Sequence, residues 1–335
     1  MTKPLRIVLC GFGNVGREVY RLLCDESPRL ERLGFSPVVV GIITRSRGHV
    51  YVPTGITSEH LQMLAPKDSA AVCTTRLIEQ MSADVVVEMT PLDVFSAKDV
   101  MSHARAALTS GKHVVCANKG AIAWGYDELS ALASAKARLF LFECCVMDGA
   151  PIFAMVRNCL PAARILKFEG VLNSTSNYVL DKMLEGVSME EAITMAKRAG
   201  FAESDPRLDI DGWDSAAKIA ALANVFMHAR INPLEVVRQG ITQITCEQVQ
   251  AAARGAMRIR LVASAVQRQR DVLCEVKPCR VAHSSLFGSV NHTSSVLSIT
   301  TDLMGNISIV EHDPGLLQTA YGVLRDIIEV ASFNK

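Results

Sequence analysis

"LRIVLCGFGNVGREVYRLLCDE", residues 5–26, holds a strand, a glycine turn and a helix in one stretch. Leu5–Cys10 is a short apolar run with β-branched members, which predicts a strand, and "REVYRLLCDE" repeats its apolar residues at helical spacing. Between them Gly11, Gly13 and Gly16 form GxGxxG. The first glycine permits a tight turn, the second lets the backbone approach a pyrophosphate, and the third lets helix and strand pack, while the helix N-terminus supplies oriented N–H groups. A merely tight turn is the alternative. The strand before and the helix after favour a dinucleotide site lined by Gly11, Gly13, Asn14, Val15 and Gly16.

Similar apolar runs return at "PVVVGIITR" (37–45), "ADVVVEMT" (83–90), "HVVCAN" (113–118) and "RLFLFECCV" (138–146), separated by helical stretches such as "AKDVMSHARAALTSG". Strands apolar throughout that alternate with helices imply a parallel sheet covered on both faces. The expected fold is therefore α/β, a Rossmann-type doubly wound parallel sheet over residues 1–146.

Beyond "MDGAPIF" the pattern changes: "ILKFEGVLN" predicts a strand, and "STSNYVLDKMLEG" and "SMEEAITMAKRAG" predict helices, the latter with Ser188 and Glu191 in a capping box. "WDSAAKIAALANVFMHA" is a buried alanine-rich helix, and "DVLCEVKPCRVA" and "VLSITTDLMGNISIVEH" alternate as strands do. These suggest a second, α+β domain over 147–310, with 311–335 a last helix returning to the nucleotide-binding domain.

At 335 residues, 49% of them hydrophobic, the chain is long enough for two domain cores. Its 35 basic and 34 acidic residues are mixed along the sequence, which gives no reason to expect a nucleic-acid or membrane partner. The N-terminal apolar run is too short for a signal peptide, and no segment has the length of a membrane span, so a cytoplasmic protein is expected. The ten cysteines are scattered, without CxxC spacing, and read as small reduced hydrophobes.

The second strand ends in "ITRSRG". A ribose 2'-hydroxyl is usually met there by an acid and a 2'-phosphate by a guanidinium, so Arg45 favours NADP, with NAD the alternative. Arg45 and Arg47 could instead be solvated loop charges.

"AESDPRLDIDGWDSAAK", 202–218, crowds five carboxylates before one lysine. A calcium loop fails, because aligning "DIDG" with the EF-hand pattern puts Arg207 at its first position and Lys218 at its twelfth. Asp214 and Lys218, four apart on an apolar helix, share one face in the order a helical ion pair prefers. Burial and the neighbouring carboxylate would leave Lys218 able to exchange a proton with a bound alcohol, a structural ion pair being the alternative. Asn118 and Lys119 in "CANKGAIA" follow a strand at the ligand-binding edge of the sheet. "LNSTSNY" (172–178), with Asn173 and Thr175, brings polar groups to a helix N-terminus suited to a carboxylate, or simply caps it.

In order and spacing, "GFGNVG", "VVVEMT", "SGKHVVCANKGAIA", "GVLNSTSNYVLDKM" and "AGFAESDPRLDIDGWDSAAK" resemble homoserine dehydrogenases over nearly the whole chain. The resemblance implies reversible NAD(P)-dependent interconversion of L-homoserine and L-aspartate 4-semialdehyde, on the way to threonine and methionine, by a homodimer. It assigns Lys218 as proton donor and Lys119 as a second catalytic lysine that also contacts cofactor. Glu203, Asp214 and Asp209, with Asn173 and Thr175, become the substrate-binding set, and Thr90 and Gly315 join the cofactor set. It also implies a structural sodium ion on Glu143, Val146, Asp148 and Ala150, bracing the hinge between domains.

Three departures stand out: Asp148 adds a carboxylate beside the ion, Phe201 replaces a hydroxylated aromatic before "AE", and the C-terminal glycine loop is reduced to Gly315. No regulatory domain is expected. A related dehydrogenase acting on another amino-acid alcohol or semialdehyde stays open, as does a non-catalytic NADP-binding sensor, although a sensor has no need of Glu203, Asp214, Lys119 and Lys218 together.

Overall fold

Val85, Val86, Val87 and Glu88 are each at most 1% exposed. A strand buried on both faces belongs in the middle of a sheet, and in the computed structural model it is there. The structure describes residues 3–64, 73–200, 205–269 and 271–333. They form two units, Met1–Phe153 with Gly315–Lys335, and Ala154–Pro314.

In the first unit β1 (Lys3–Cys10), β2 (Phe35–Thr44), β3 (Gly48–Tyr51), β4 (Val85–Glu88), β5 (His113–Cys116) and β6 (Phe140–Leu141) form a sheet of order β3-β2-β1-β4-β5-β6. All neighbours are parallel except β3, an antiparallel edge hairpinned to β2. The expected fold class is found, with that edge added. Helix Leu316–Phe333 packs against helix Asn14–Asp25, contributing Val323, Ile327 and Val330, all fully buried, to the same core as Ile7, Leu9 and Val19. Each such side chain contributes roughly 1.5–3 kcal/mol through burial.

One expected strand is much shorter. "RLFLFECCV" gives only Phe140–Leu141, and Glu143–Cys145 turns as a 3-10 helix. Glu143 is the reason: its N–H donates to Asp326 Oδ2 (2.8 Å) and its carboxylate accepts the Phe153 N–H (2.7 Å), which curls the chain out of the ladder.

The second unit is built on β7 (Ile165–Val171), β8 (Val237–Arg238), β9 (Met257–Arg268), β10 (Asp271–Ala282), β11 (Ser295–Thr301) and β12 (Gly305–Glu311), in the order β12-β11-β7-β9-β10-β8. Neighbours are antiparallel except β8 and β10. Helix Trp213–Met227 lies on β9 and β10. Its Ala216, Ala217, Ala220, Ala221 and Ala223 are wholly buried, since small side chains bring helix and sheet close enough to exclude water. Phe226 meets Phe168 of β7 edge to face, 5.9 Å between centroids. Ser188 caps helix Met189–Arg198 by accepting the Glu191 N–H.

Candidate active site

In the first unit β1 ends at Cys10 and the chain turns at Gly11 with φ +97°. A side chain there would be strained by that φ, and its Cβ would stand 2.5 Å from the Met89 carbonyl oxygen and 2.9 Å from the Thr90 nitrogen. This glycine lets the turn rest directly on the chain leaving β4. Gly16 similarly abuts the Gly11 carbonyl, at 2.6 Å from where its Cβ would be. At Gly13 a Cβ would meet nothing within 4 Å, so the surface over this residue is open. Gly13 is also the N-cap of helix Asn14–Asp25, which has no side-chain cap. Open space over main-chain N–H groups at the positive end of a helix fits a pyrophosphate.

The neighbouring loops join that turn. Asn118, 4% exposed, donates from Nδ2 to the carbonyls of Thr90 (3.0 Å) and Pro91 (3.1 Å) and accepts the Gly120 N–H (3.0 Å). Lys119, half-buried, is the N-cap of helix Gly120–Ala135. Gly11, Thr90 and Lys119 thus stand on three connected turns at the carboxyl ends of β1, β4 and β5, where open α/β sheets bind ligands. Arg45 is exposed at the tip of the β2–β3 hairpin, while Arg47 reaches back to donate to the Phe12 carbonyl within the glycine turn.

In the second unit Asn173 does two things. Its Oδ1 accepts the Ser176 N–H (2.8 Å) and caps helix Ser174–Leu184, and its Nδ2 donates to Asp209 (2.7 Å) and Asp214 (3.0 Å). Asp214 lies in the first turn of helix Trp213–Met227, where the helix dipole favours a negative charge. One turn on, Lys218 Nζ donates to the Leu172 carbonyl (2.6 Å) and pairs with Asp214 (3.3 Å), their side chains 16% and 15% exposed. Burial, then the charge of Asp214, push the Asp209 carboxyl up from its ordinary value, against hydrogen bonds from Asn173 and Thr175 and the charge of Lys218. Asn173, Thr175, Asp209, Asp214 and Lys218 form one cluster.

The family described as "Homoserine dehydrogenase, NAD binding domain" matches residues 11–143, and "Homoserine dehydrogenase" matches residues 151–328. The NAD(+)-dependent homoserine dehydrogenase of Pseudomonas canavaninivorans is 30% identical over 97% of this chain and 96% of its own length. The homoserine dehydrogenase of Methanocaldococcus jannaschii is 31% identical over 98% of this chain and 99% of its own. The crystal structure of a homoserine dehydrogenase described as putative, from Archaeoglobus fulgidus, superposes with a TM-score of 0.85 at 28% identity, covering 98% of this chain and 99% of that one. This chain belongs to the homoserine dehydrogenase family.

Homoserine dehydrogenases are NAD(P)-dependent oxidoreductases acting on a CH–OH group, and this chain interconverts L-homoserine and L-aspartate 4-semialdehyde, a step toward threonine and methionine. Glu203 and Phe201 lie outside the described residues. The residues that resemblance to homoserine dehydrogenases assigns to sodium share one turn, where Glu143, Val146 and Ala150 are buried and Asp148 takes a left-handed φ of 39°. The donors there are all oxygens, which suits a hard cation. Several are already engaged: Asp148 Oδ1 accepts the Thr319 hydroxyl (2.6 Å), the Glu143 carboxylate pairs with Arg325 (3.1 Å), and the Ala150 carbonyl accepts the Ile152 N–H (2.8 Å). Gly315 is exposed at the start of helix Leu316–Phe333.

Sequence reasoning missed three contributors: the Leu172 carbonyl, the bridging role of the Asn173 amide, and Arg47 on the glycine turn. Only Arg47 had a signal, its position beside Arg45 in "ITRSRG".

Proposed function

We propose that Asp209, Asp214 and Lys218 hold L-homoserine by its ammonium and manage its hydroxyl proton. The observation that carries this is the charge count: two carboxylates bridged by one amide face one lysine. Among the described residues of the cluster, carboxylates outnumber the lysine, so a substrate ammonium brings a matching positive charge, and burial strengthens that attraction. Glu203, by its place in the acidic motif, joins the ammonium site. The substrate carboxylate is assigned to the N-terminus of helix Ser174–Leu184, beside Thr175.

The bound dinucleotide supplies the hydride acceptor in one direction and the donor in the other. Gly11, Gly13, Asn14, Val15, Gly16 and Thr90 hold it, and Lys119 and Gly315 complete its site. Lys218, fixed by the Leu172 carbonyl and Asp214, takes the hydroxyl proton during oxidation and returns it during reduction. Lys119 is the second candidate for that proton. Arg45, with Arg47, supports NADP over NAD because guanidinium groups match a 2'-phosphate. Glu143, Val146, Asp148 and Ala150 would hold a structural sodium ion through oxygen atoms, with no part in the chemistry.

We assign a homodimer through the second sheet. Phe168 faces helix Trp213–Met227, so the opposite face carries Glu169, Ser264, Glu275 and Ser298 in register, with Val266 and the 38% exposed Leu273 alongside. The apolar Val266 and Leu273, neighbours across the β9–β10 ladder, are what a second copy would cover on that face. All ten cysteines are free thiols, which supports a reducing, cytoplasmic setting. No helix of the described residues is long and apolar enough to cross a membrane.

A spectrophotometric assay of the purified protein with aspartate semialdehyde and NADPH or NADH, beside other small aldehydes, tests the reading. Turnover of aspartate semialdehyde with NADPH preferred is expected. No turnover of any aldehyde would sink it.

A further inference from the structure

Glu88 ends β4 at the centre of the first sheet, 1% exposed. A carboxylate so placed needs donors for both oxygens, and it has them. Oε1 accepts the Thr90 N–H (2.8 Å) and the Thr90 hydroxyl, and Oε2 accepts Nδ1–H of His103 (2.8 Å), a 9% exposed residue of helix Lys98–Thr109. A carboxylate oxygen accepts, so this bond uses an N–H at Nδ1 of the imidazole. Cys10, paired with Glu88 across the β1–β4 ladder, brings its Sγ to 3.7 Å from the same nitrogen.

Sulfur, carboxylate and imidazole donor atoms lie within 4.8 Å of one another, a grouping that a metal ion could use. Glu88, however, already spends both oxygens on protein donors. The geometry points instead to restraint of the residue two places on. Thr90 is held from below by Glu88 and from the side by Asn118. The Met89 N–H also donates to the Cys10 carbonyl (2.7 Å), and the Met89–Thr90 backbone packs on Gly11. Loosening the dyad would therefore release the segment that supports the glycine turn.

We propose that Glu88 and His103 are positioning residues for the dinucleotide: a buried carboxylate and imidazole that fix the Thr90 turn against Gly11. This rests on the reading that Thr90 and the glycine turn hold the cofactor. The dyad touches neither cofactor nor substrate and acts only through Thr90. Charge-assisted bonds in a dry setting are short and directional, which suits them to hold a turn where a small displacement matters.

The test is a fluorescence titration with NADPH and NADH in the absence of substrate, on wild type, His103→Ala and His103→Asn, with thermal unfolding of each. Asparagine can place an amide N–H where Nδ1–H stood. His103→Ala should weaken dinucleotide binding about tenfold, the order expected from losing a hydrogen bond to a charged group, and His103→Asn should stay within about twofold of wild type. KM for homoserine should not move. Wild-type affinity in a folded His103→Ala protein would overturn the inference, as would equal losses in the two variants that track a lowered Tm. If His103→Ala does not fold, Glu88→Gln, Thr90→Ala and their combination replace it. Non-additive losses of affinity support action through Thr90, and additive ones overturn it. Wild-type protein that binds neither dinucleotide would instead remove the cofactor reading beneath.

Discussion

Asp209 and Asp214 share one lysine in the second unit, and Glu143 and Asp326 share one arginine in the first. In both clusters carboxylates outnumber the one base. In the first unit, Asp326 is 0% and Glu143 2% exposed, and Arg325 forks onto both and onto Glu329 (2.6 Å). Main-chain N–H groups of Glu143 and Phe153 fill further acceptor positions. Around Asp214, by contrast, the cation is a lysine with three donors, and the Asn173 amide joins the two carboxylates, with Thr175 also on Asp209, near a partly exposed surface. A guanidinium fork with backbone donors saturates carboxylates and makes a joint. A lysine and an amide at a partly exposed surface leave the carboxylates within reach of a ligand.

The comparison is broken most forcefully at Lys218. Lys218→Ala is expected to lower kcat by about 10²- to 10⁴-fold, the range of general acid–base catalysis, with dinucleotide binding retained. Near-normal turnover in steady-state assays would show that this lysine is structural, as Arg325 is. A smaller effect, on KM, is expected from Asp209→Asn, because one of two charges facing the substrate ammonium is lost. KM for L-homoserine should rise about tenfold or more, and an unchanged KM would take Asp209 out of the binding set.

The smallest effect on activity belongs to Asp326→Asn, with turnover expected within about twofold of wild type because a lone surrogate amide keeps one of its hydrogen bonds. Its signature is in stability. Burial, helped by the charge of Glu143, pushes the Asp326 carboxyl up to about 7, against the Glu143 N–H and Arg325. The folded protein therefore holds a proton that the unfolded chain releases near pH 4. This contribution is fully present below that pH and is lost as pH rises through about 7. Urea denaturation across this window should show the wild-type decline flattened in Asp326→Asn, and parallel curves would contradict the assignment.

The two sites were unequally legible. A dinucleotide turn is made of main chain, so its requirements appear as glycine spacing, and Gly11, Gly13 and Gly16 could be read directly. Parallel strands buried on both faces likewise betray themselves as unbroken apolar runs. The substrate cluster is made of side chains from 172–175, 209, 214 and 218. Only the Asp214 and Lys218 pair lies within one helical turn, so only that pair was derivable from spacing. A carbonyl such as Leu172's leaves no trace in residue identity, and neither does the amide of Asn173 reaching Asp209 across 36 positions. β3 was hidden in "GHVY", too short to show a period. The strand expected at 138–146 failed because Glu143 found tertiary donors that no local pattern announces.

The most direct test asks whether the Asp214 cluster recognises an ammonium. Wild type, Asp214→Asn and Asp326→Asn would be assayed side by side on L-homoserine and on 4-hydroxybutyrate, which keeps the alcohol and carboxylate but lacks the amine. Wild type and Asp326→Asn should prefer homoserine by the same large ratio of kcat/KM, and Asp214→Asn should lose about tenfold or more of that ratio. An unchanged preference in Asp214→Asn, or an equal loss in Asp326→Asn, would contradict the account.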